Sequence, residues 1–132
     1  MLGEINHIEI YVDNLEKTSG FWGWFLGELK YKPFQKWDKG MSYKLGGTYI
    51  VFVQVEEKFN NPKYHRKRIG LNHLAFCSDS REFVDEMALK IEKRDIKLLY
   101  EDRYRNGYDK NIYAIFFEDP DRIKVELVFC DR

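Results

Sequence analysis

The sequence predicts an α+β fold built from two βαβββ modules, which together form an incomplete eight-stranded, barrel-like cleft with helices outside. Three observations predict it. INHIEIYVD at 5–13 is echoed by LNHLAFCSD at 71–79, and Asn6 and Asn72, His7 and His73, Asp13 and Asp79, and Glu16 and Glu82 all keep one offset. A shared offset marks one unit written twice. Each echo alternates apolar and polar residues and then runs into apolar residues at helical spacing, as a strand feeding an amphipathic helix does. Lastly, the polar stretch EEKFNNPKYHRKRI at 56–69 separates the copies. The chain therefore reads as one domain, with module 1 at 3–55, a linker at 56–69 and module 2 at 70–130.

In the first strand, Ile8, Ile10 and Val12 point one way and His7, Glu9 and Tyr11 the other. Asp13 with Glu16 forms a capping box, and Leu15, Phe21, Trp22, Phe25 and Leu26 give the helix its apolar stripe. Gly20 and Gly23 weaken that helix, and Gly27 reads as its C-terminal cap. Strands follow near 29–36, 41–46 and 48–55, with Gly46-Gly47 as a hairpin signal. The basic run between Lys58 and Arg68 reads as a solvated connection rather than the anion-attracting rim of a pocket. Module 2 repeats the plan: a strand at 71–77, an Asp79/Glu82 capping box, and a helix with Phe83, Val84, Met87, Ala88 and Ile91 on its stripe. Strands then fall near 96–101, 111–118 and 123–130, with a polar loop around Arg105–Lys110 and a turn at Asp119–Arg122.

Composition excludes several functions. Lys plus Arg and Asp plus Glu both total 22, so no net field draws the chain to nucleic acid or anionic lipid. No apolar run approaches a membrane span, and MLGEINHIEI lacks a signal-peptide pattern, so a cytoplasmic protein without a membrane partner is expected. Cys77 and Cys130 belong to no CxxC pair and read as buried reduced thiols rather than a disulfide. Aromatic residues at 17% exceed what a core of this size needs and suit the lining of a concave pocket.

The chemistry lies on the polar strand faces. His7 and its repeat His73 share such a face, Gln54 ends the first module, and Glu126 sits among the apolar residues of KVELVF, where an unpaired carboxylate is costly to bury. Two imidazoles and a carboxylate with open positions suit one divalent ion among Mn, Fe, Co, Ni and Zn. The residue types do not choose among them.

The motifs NHIEIYVDNLEK at 6–17, GLNHLAF at 70–76 and FFEDPDRIKVEL at 116–127 resemble the vicinal oxygen chelate superfamily, which includes glyoxalase I, extradiol dioxygenases, methylmalonyl-CoA epimerase, and the fosfomycin and bleomycin resistance proteins. The resemblance implies metal ligands at His7, His73 and Glu126, with Gln54 at a fourth position that is usually Glu in glyoxalase I. It also implies a Lewis-acid enzyme of lyase, isomerase or dioxygenase type, acting on a small molecule with two vicinal oxygens, with Glu126 doubling as catalytic base. The alternatives it carries are a drug-sequestering protein of bleomycin-resistance type and a fosfomycin-type thiol transferase. Arg122 stands where the family commonly has Gly after DPD. A homodimer is expected, and the two modules can pair within one chain or be swapped between two.

Overall fold

A computed structural model describes residues 1–105 and 112–131, which form two compact units, Met1–Lys63 and Tyr64–Arg132. The first unit contains β1 (His7–Val12), α1 (Leu15–Glu28), β2 (Lys32–Trp37), β3 (Gly40–Leu45) and β4 (Thr48–Gln54). Its four-stranded sheet has the order β1-β4-β3-β2, with β1 and β4 parallel and the other pairs antiparallel. The second unit contains β5 (His73–Ser78), α2 (Arg81–Lys93), α3 (Glu101–Arg105), β6 (Ala114–Glu118) and β7 (Lys124–Phe129). Its three-stranded sheet has the order β5-β7-β6, with β5 parallel to β7 and β6 antiparallel to it. The α+β class and the repeated module are as predicted, and each sheet is open.

The strand predicted at 96–101 does not form. Between 96 and 101 only Leu99 bridges to Phe116. Asp95 (φ 59°) and Tyr100 (φ 52°) both adopt left-handed backbone, and the four residues between them are too few for a ladder. The chain turns at Tyr100 straight into α3. The predicted loop lies at 106–110, outside the described residues, and the strand predicted from 111 begins at Ala114.

Both helices start one residue later than predicted. Asn14 caps α1, its side-chain oxygen accepting from the Lys17 N–H at 3.0 Å, and Ser80 caps α2 in the same way from Phe83. Asp13 is drawn off by another contact: its carboxylate accepts from Asn60 at 2.8 Å and Lys63 at 3.2 Å, which hold its carboxyl below the usual carboxylate range. Gly27 does not supply the left-handed cap. Lys30 does, at φ 74°, with Tyr31 N–H donating to the Leu26 carbonyl.

Each helix covers one sheet face. In the first unit Phe21, Trp22, Phe25 and Leu26 of α1 are buried, as are Val12, Ile50 and Phe52 of the sheet. Trp22 stacks on Phe52 at 5.2 Å between ring centroids. Gly23 lets this layer close, because a Cβ there would lie 3.0 Å from the Tyr43 hydroxyl. In the second unit Val84, Met87, Ala88 and Ile91 are buried with Ile115, Phe117, Val125 and Leu127.

Two positions are left unoptimised by this packing. Gly20 lies inside α1 with nothing within 4 Å of an added Cβ, and Arg122 sits at φ 68° in the turn after Asp119. Gly20→Ala and Arg122→Gly should each stabilise the protein by about 0.5–1 kcal/mol, read as a rise in the urea midpoint.

Cys77 and Cys130 form a disulfide with 5.5 Å between Cα atoms, which corrects the expectation of free thiols. The register explains it. Cys77 lies beside Val128, and the Cys130 N–H extends the ladder to the Ser78 carbonyl at 2.9 Å, so both cysteines fall on one face of adjacent parallel strands. Among the described residues no helix is long and apolar enough to cross a membrane.

Candidate metal centre

Each sheet has a face turned away from its own helix. In the second unit period-2 alternation places His73, Ala75 and Cys77 of β5 on it, in register with Lys124, Glu126 and Val128 of β7. The alternate residues Val125 and Leu127 are fully buried on the helix side. The lattice of the parallel pair thus brings together two residues far apart in sequence: His73 Nε2 stands 3.2 Å from Glu126 Oε2, with the side chains 34% and 15% exposed.

The orientation of the imidazole follows from its neighbours. Asn72 donates its side-chain N–H to the Arg66 carbonyl at 3.1 Å, which turns its amide oxygen toward His73 Nδ1 at 2.8 Å. This contact suits a proton on Nδ1 and leaves Nε2 as the ring nitrogen that faces Glu126. A ring nitrogen and a carboxylate oxygen at this distance can share a proton or a bound cation. The donor set, one imidazole nitrogen and one carboxylate oxygen, fits a divalent transition metal.

Module 1 repeats half of this arrangement. His7 Nδ1 lies 2.7 Å from the Asn6 side-chain oxygen, and the ring stacks on Tyr49 at 4.7 Å with 11° between planes. The asparagine before each histidine sets its side-chain oxygen against Nδ1 and leaves Nε2 on the other side of the ring, as outer-shell partners of metal-bound histidines do. In the sequence the signal for this role is the Asn-His dipeptide written twice, at 6–7 and 72–73. Glu9 shares the face with His7 and is exposed.

Gln54 stands elsewhere. It pairs in register with Val12, on the face that packs against α1, whereas His7 pairs with Tyr49. Its side chain accepts from the Leu15 N–H at 2.9 Å and donates to the Asp13 carbonyl at 2.7 Å, bracing the start of α1. The residues that β4 offers to the His7 face are Tyr49, Val51 and Val53, with no carboxylate or amide among them. Gln54→Leu should cost about 1–2 kcal/mol of stability through the orphaned Leu15 N–H while leaving metal content unchanged, measured by denaturation and elemental analysis of one sample.

The basic run is also largely spent within its units. Lys63 pairs with Asp13, and Arg66 with Glu118. Among the described residues no three His, Cys, Asp or Glu side chains form a ready metal cluster: His73 and Glu126 belong to the second unit and His7 to the first.

The family model described as Glyoxalase/Bleomycin resistance protein/Dioxygenase superfamily matches residues 4–127. The uncharacterised protein YqjT of Bacillus subtilis is 52% identical over 124 residues, 94% of this chain and 97% of that one. A Bacillus halodurans protein solved as a candidate glyoxalase superposes with a TM-score of 0.93 at 54% identity, covering 98% of this chain and 97% of its own. The Listeria monocytogenes fosfomycin resistance protein FosX, solved with Mn(II) and sulfate, superposes with a TM-score of 0.70 at 21% identity, covering 98% and 91%; the likeness shows the shared fold.

Proposed function

Because the chain belongs to the Glyoxalase/Bleomycin resistance protein/Dioxygenase superfamily, we propose that it is a metal-dependent enzyme acting on a small molecule with two vicinal oxygens, in the lyase, isomerase or dioxygenase range. One observation carries the reading: His73 Nε2 and Glu126 Oε2 face each other at 3.2 Å on the sheet face turned away from the helix, with the Asn72 side-chain oxygen 2.8 Å behind the ring at Nδ1. His73 and Glu126 supply two ligands, and His7, oriented by Asn6 in the same way, supplies the third from a module 1 of the same chain or of a second copy in a homodimer. Gln54 is left out of the set because its amide is committed to α1.

A divalent ion held there provides Lewis acidity toward two adjacent substrate oxygens. The chain's own residues do the rest. Asn6 and Asn72 fix the imidazoles, and Glu126, half-buried with only Oε2 facing His73, keeps Oε1 to take a proton from substrate and return it. With three protein ligands and no fourth carboxylate from β4, the site resembles the fosfomycin-type and dioxygenase pattern more than glyoxalase I.

The test is metal content by mass spectrometry on protein purified without chelator or nickel resin, and again after incubation with Mn, Fe, Co, Ni and Zn. About one ion per chain supports the reading. None under any condition sinks it, and leaves a sequestering protein with an aromatic binding face as the alternative. Mixing His7→Ala with His73→Ala after partial unfolding then locates the third ligand. A site shared between copies regains up to one ion per mixed dimer, and a site within one chain regains none.

A further inference from the structure

We propose that Tyr100 and Lys124 form an anion-binding pair beside the His73–Glu126 site, so that the substrate carries a second acidic group close to its chelating oxygens; the inference rests on the metal-chelate reading above. Lys124 is the register partner of His73 and precedes Glu126 by two residues on the same face of β7, about 7 Å along the strand. Its ammonium lies 5.4 Å from the Tyr100 ring centroid, 5.7 Å from that of Phe116, and 3.4 Å from the Tyr100 hydroxyl, to which it donates.

Among the described residues Lys124 has no carboxylate partner. The acid opposite it across the β6–β7 ladder, Glu118, gives its Oε2 to both Arg66 and Arg122. Among the described residues the Tyr100 hydroxyl accepts a hydrogen bond from Lys124 and has no acceptor for its own proton. Three donors are thus left over at one spot: the Tyr100 O–H and two N–H groups of the ammonium. A cation set on aromatic faces with spare donors matches a carboxylate, phosphonate or phosphate on the ligand.

The backbone supports the same assignment. Tyr100 holds φ 52°, a conformation an aromatic side chain rarely adopts, at the turn into α3. Its ring meets Phe116 edge-on at 5.4 Å, and Phe116 in turn lies edge-on to His73 at 6.1 Å. Strain kept at a residue that touches the cation and is linked through Phe116 to the His73 ring is the pattern of a binding site.

The experiment compares lactate, malate and 2-hydroxyglutarate, which share a vicinal hydroxyl and carboxylate and differ in a second carboxylate that is absent or one or two carbons further on. Dissociation constants are taken by calorimetry on metal-loaded and metal-free wild type, Lys124→Met, Lys124→Arg and Tyr100→Phe, with metal content measured on each. The expected result is that one of the two diacids binds wild type about tenfold more tightly than lactate. That preference disappears in Lys124→Met, persists in Lys124→Arg and shrinks in Tyr100→Phe, with metal content equal in all four. A wild type that treats the three acids alike overturns the proposal, as does a Lys124→Met that keeps the preference. If no variant binds metal yet the diacid preference is present and falls with Lys124→Met, the anion pair stands and the metal reading fails.

Discussion

On the metal-chelate reading proposed above, His73→Ala is expected to lower the affinity for a divalent transition metal more than about 100-fold, while the urea midpoint moves little. The loss follows from what the substitution leaves behind. Glu126 is left with His7 as its one fellow ligand in the proposed set, and two protein ligands in place of three hold a divalent ion far less tightly against water. Asn72→Leu should be milder, about 10–100-fold, because it removes only the group that fixes the tautomer. The ranking is the useful part: a bridging proton rather than a metal predicts that His73→Ala and Asn72→Leu alter stability and leave elemental content flat. His73 is one-third exposed, so its removal should cost the fold no more than about 1 kcal/mol.

Trp22→Ala should have the largest effect on stability of any single substitution in module 1. The indole is fully buried, stacks on Phe52 at 5.2 Å, and meets Phe21 and Phe25 edge-on at 5.2 and 6.0 Å. Large-to-small changes at such sites cost about 3–5 kcal/mol, because the lost transfer energy is joined by a cavity that the surrounding rings fill only in part. With a urea dependence near 2 kcal/mol/M, that is a midpoint lowered by about 2 M. A fall below about 0.5 M would mean that α1 is not seated on the sheet through Trp22. Since small domains hold about 5–15 kcal/mol in all, module 1 of this variant should also be the first part of the chain to lose amide protection.

The repeat made most of the fold readable before any coordinates. Alternation in INHIEIYV and LNHLAF separated the functional face from the greasy one, and the sheet registers keep His7, Glu9 and Tyr11 apart from Ile8, Ile10 and Val12. What stayed hidden depends on register between distant strands. The resemblance implies Gln54 as a fourth ligand beside His7, but the pairing of Val12 with Gln54 puts it on the opposite face of the sheet. The Cys77–Cys130 bridge needed the same information, since nothing local tells that two residues 53 apart fall on neighbouring strands. The caps slipped by one residue because Asp-Asn and Asp-Ser offer two competent side chains in a row. Which one caps is decided at Asp13 by Asn60 and Lys63, partners far away in sequence. The strand lost at 96–101 reflects backbone at Asp95 and Tyr100 that side-chain patterning does not reveal.

In both modules the last strand is an inner one: β4 lies between β1 and β3, and β7 lies between β5 and β6. A nascent chain therefore cannot build either sheet from the first strand outward. β1 has no ladder partner until residues 48–54 have emerged from the ribosome, and β5 none until 124–129 have. Synthesis at about 5–20 residues per second leaves module 1 complete for several seconds while Leu74 and Phe76 of the second copy are still without a strand to pair with. Co-translational folding of this duplicated chain is thus staggered by half its length, and the interval when β5 is an unpaired edge is when the protein is most open to chaperones and to mispairing with a neighbouring polysome's copy.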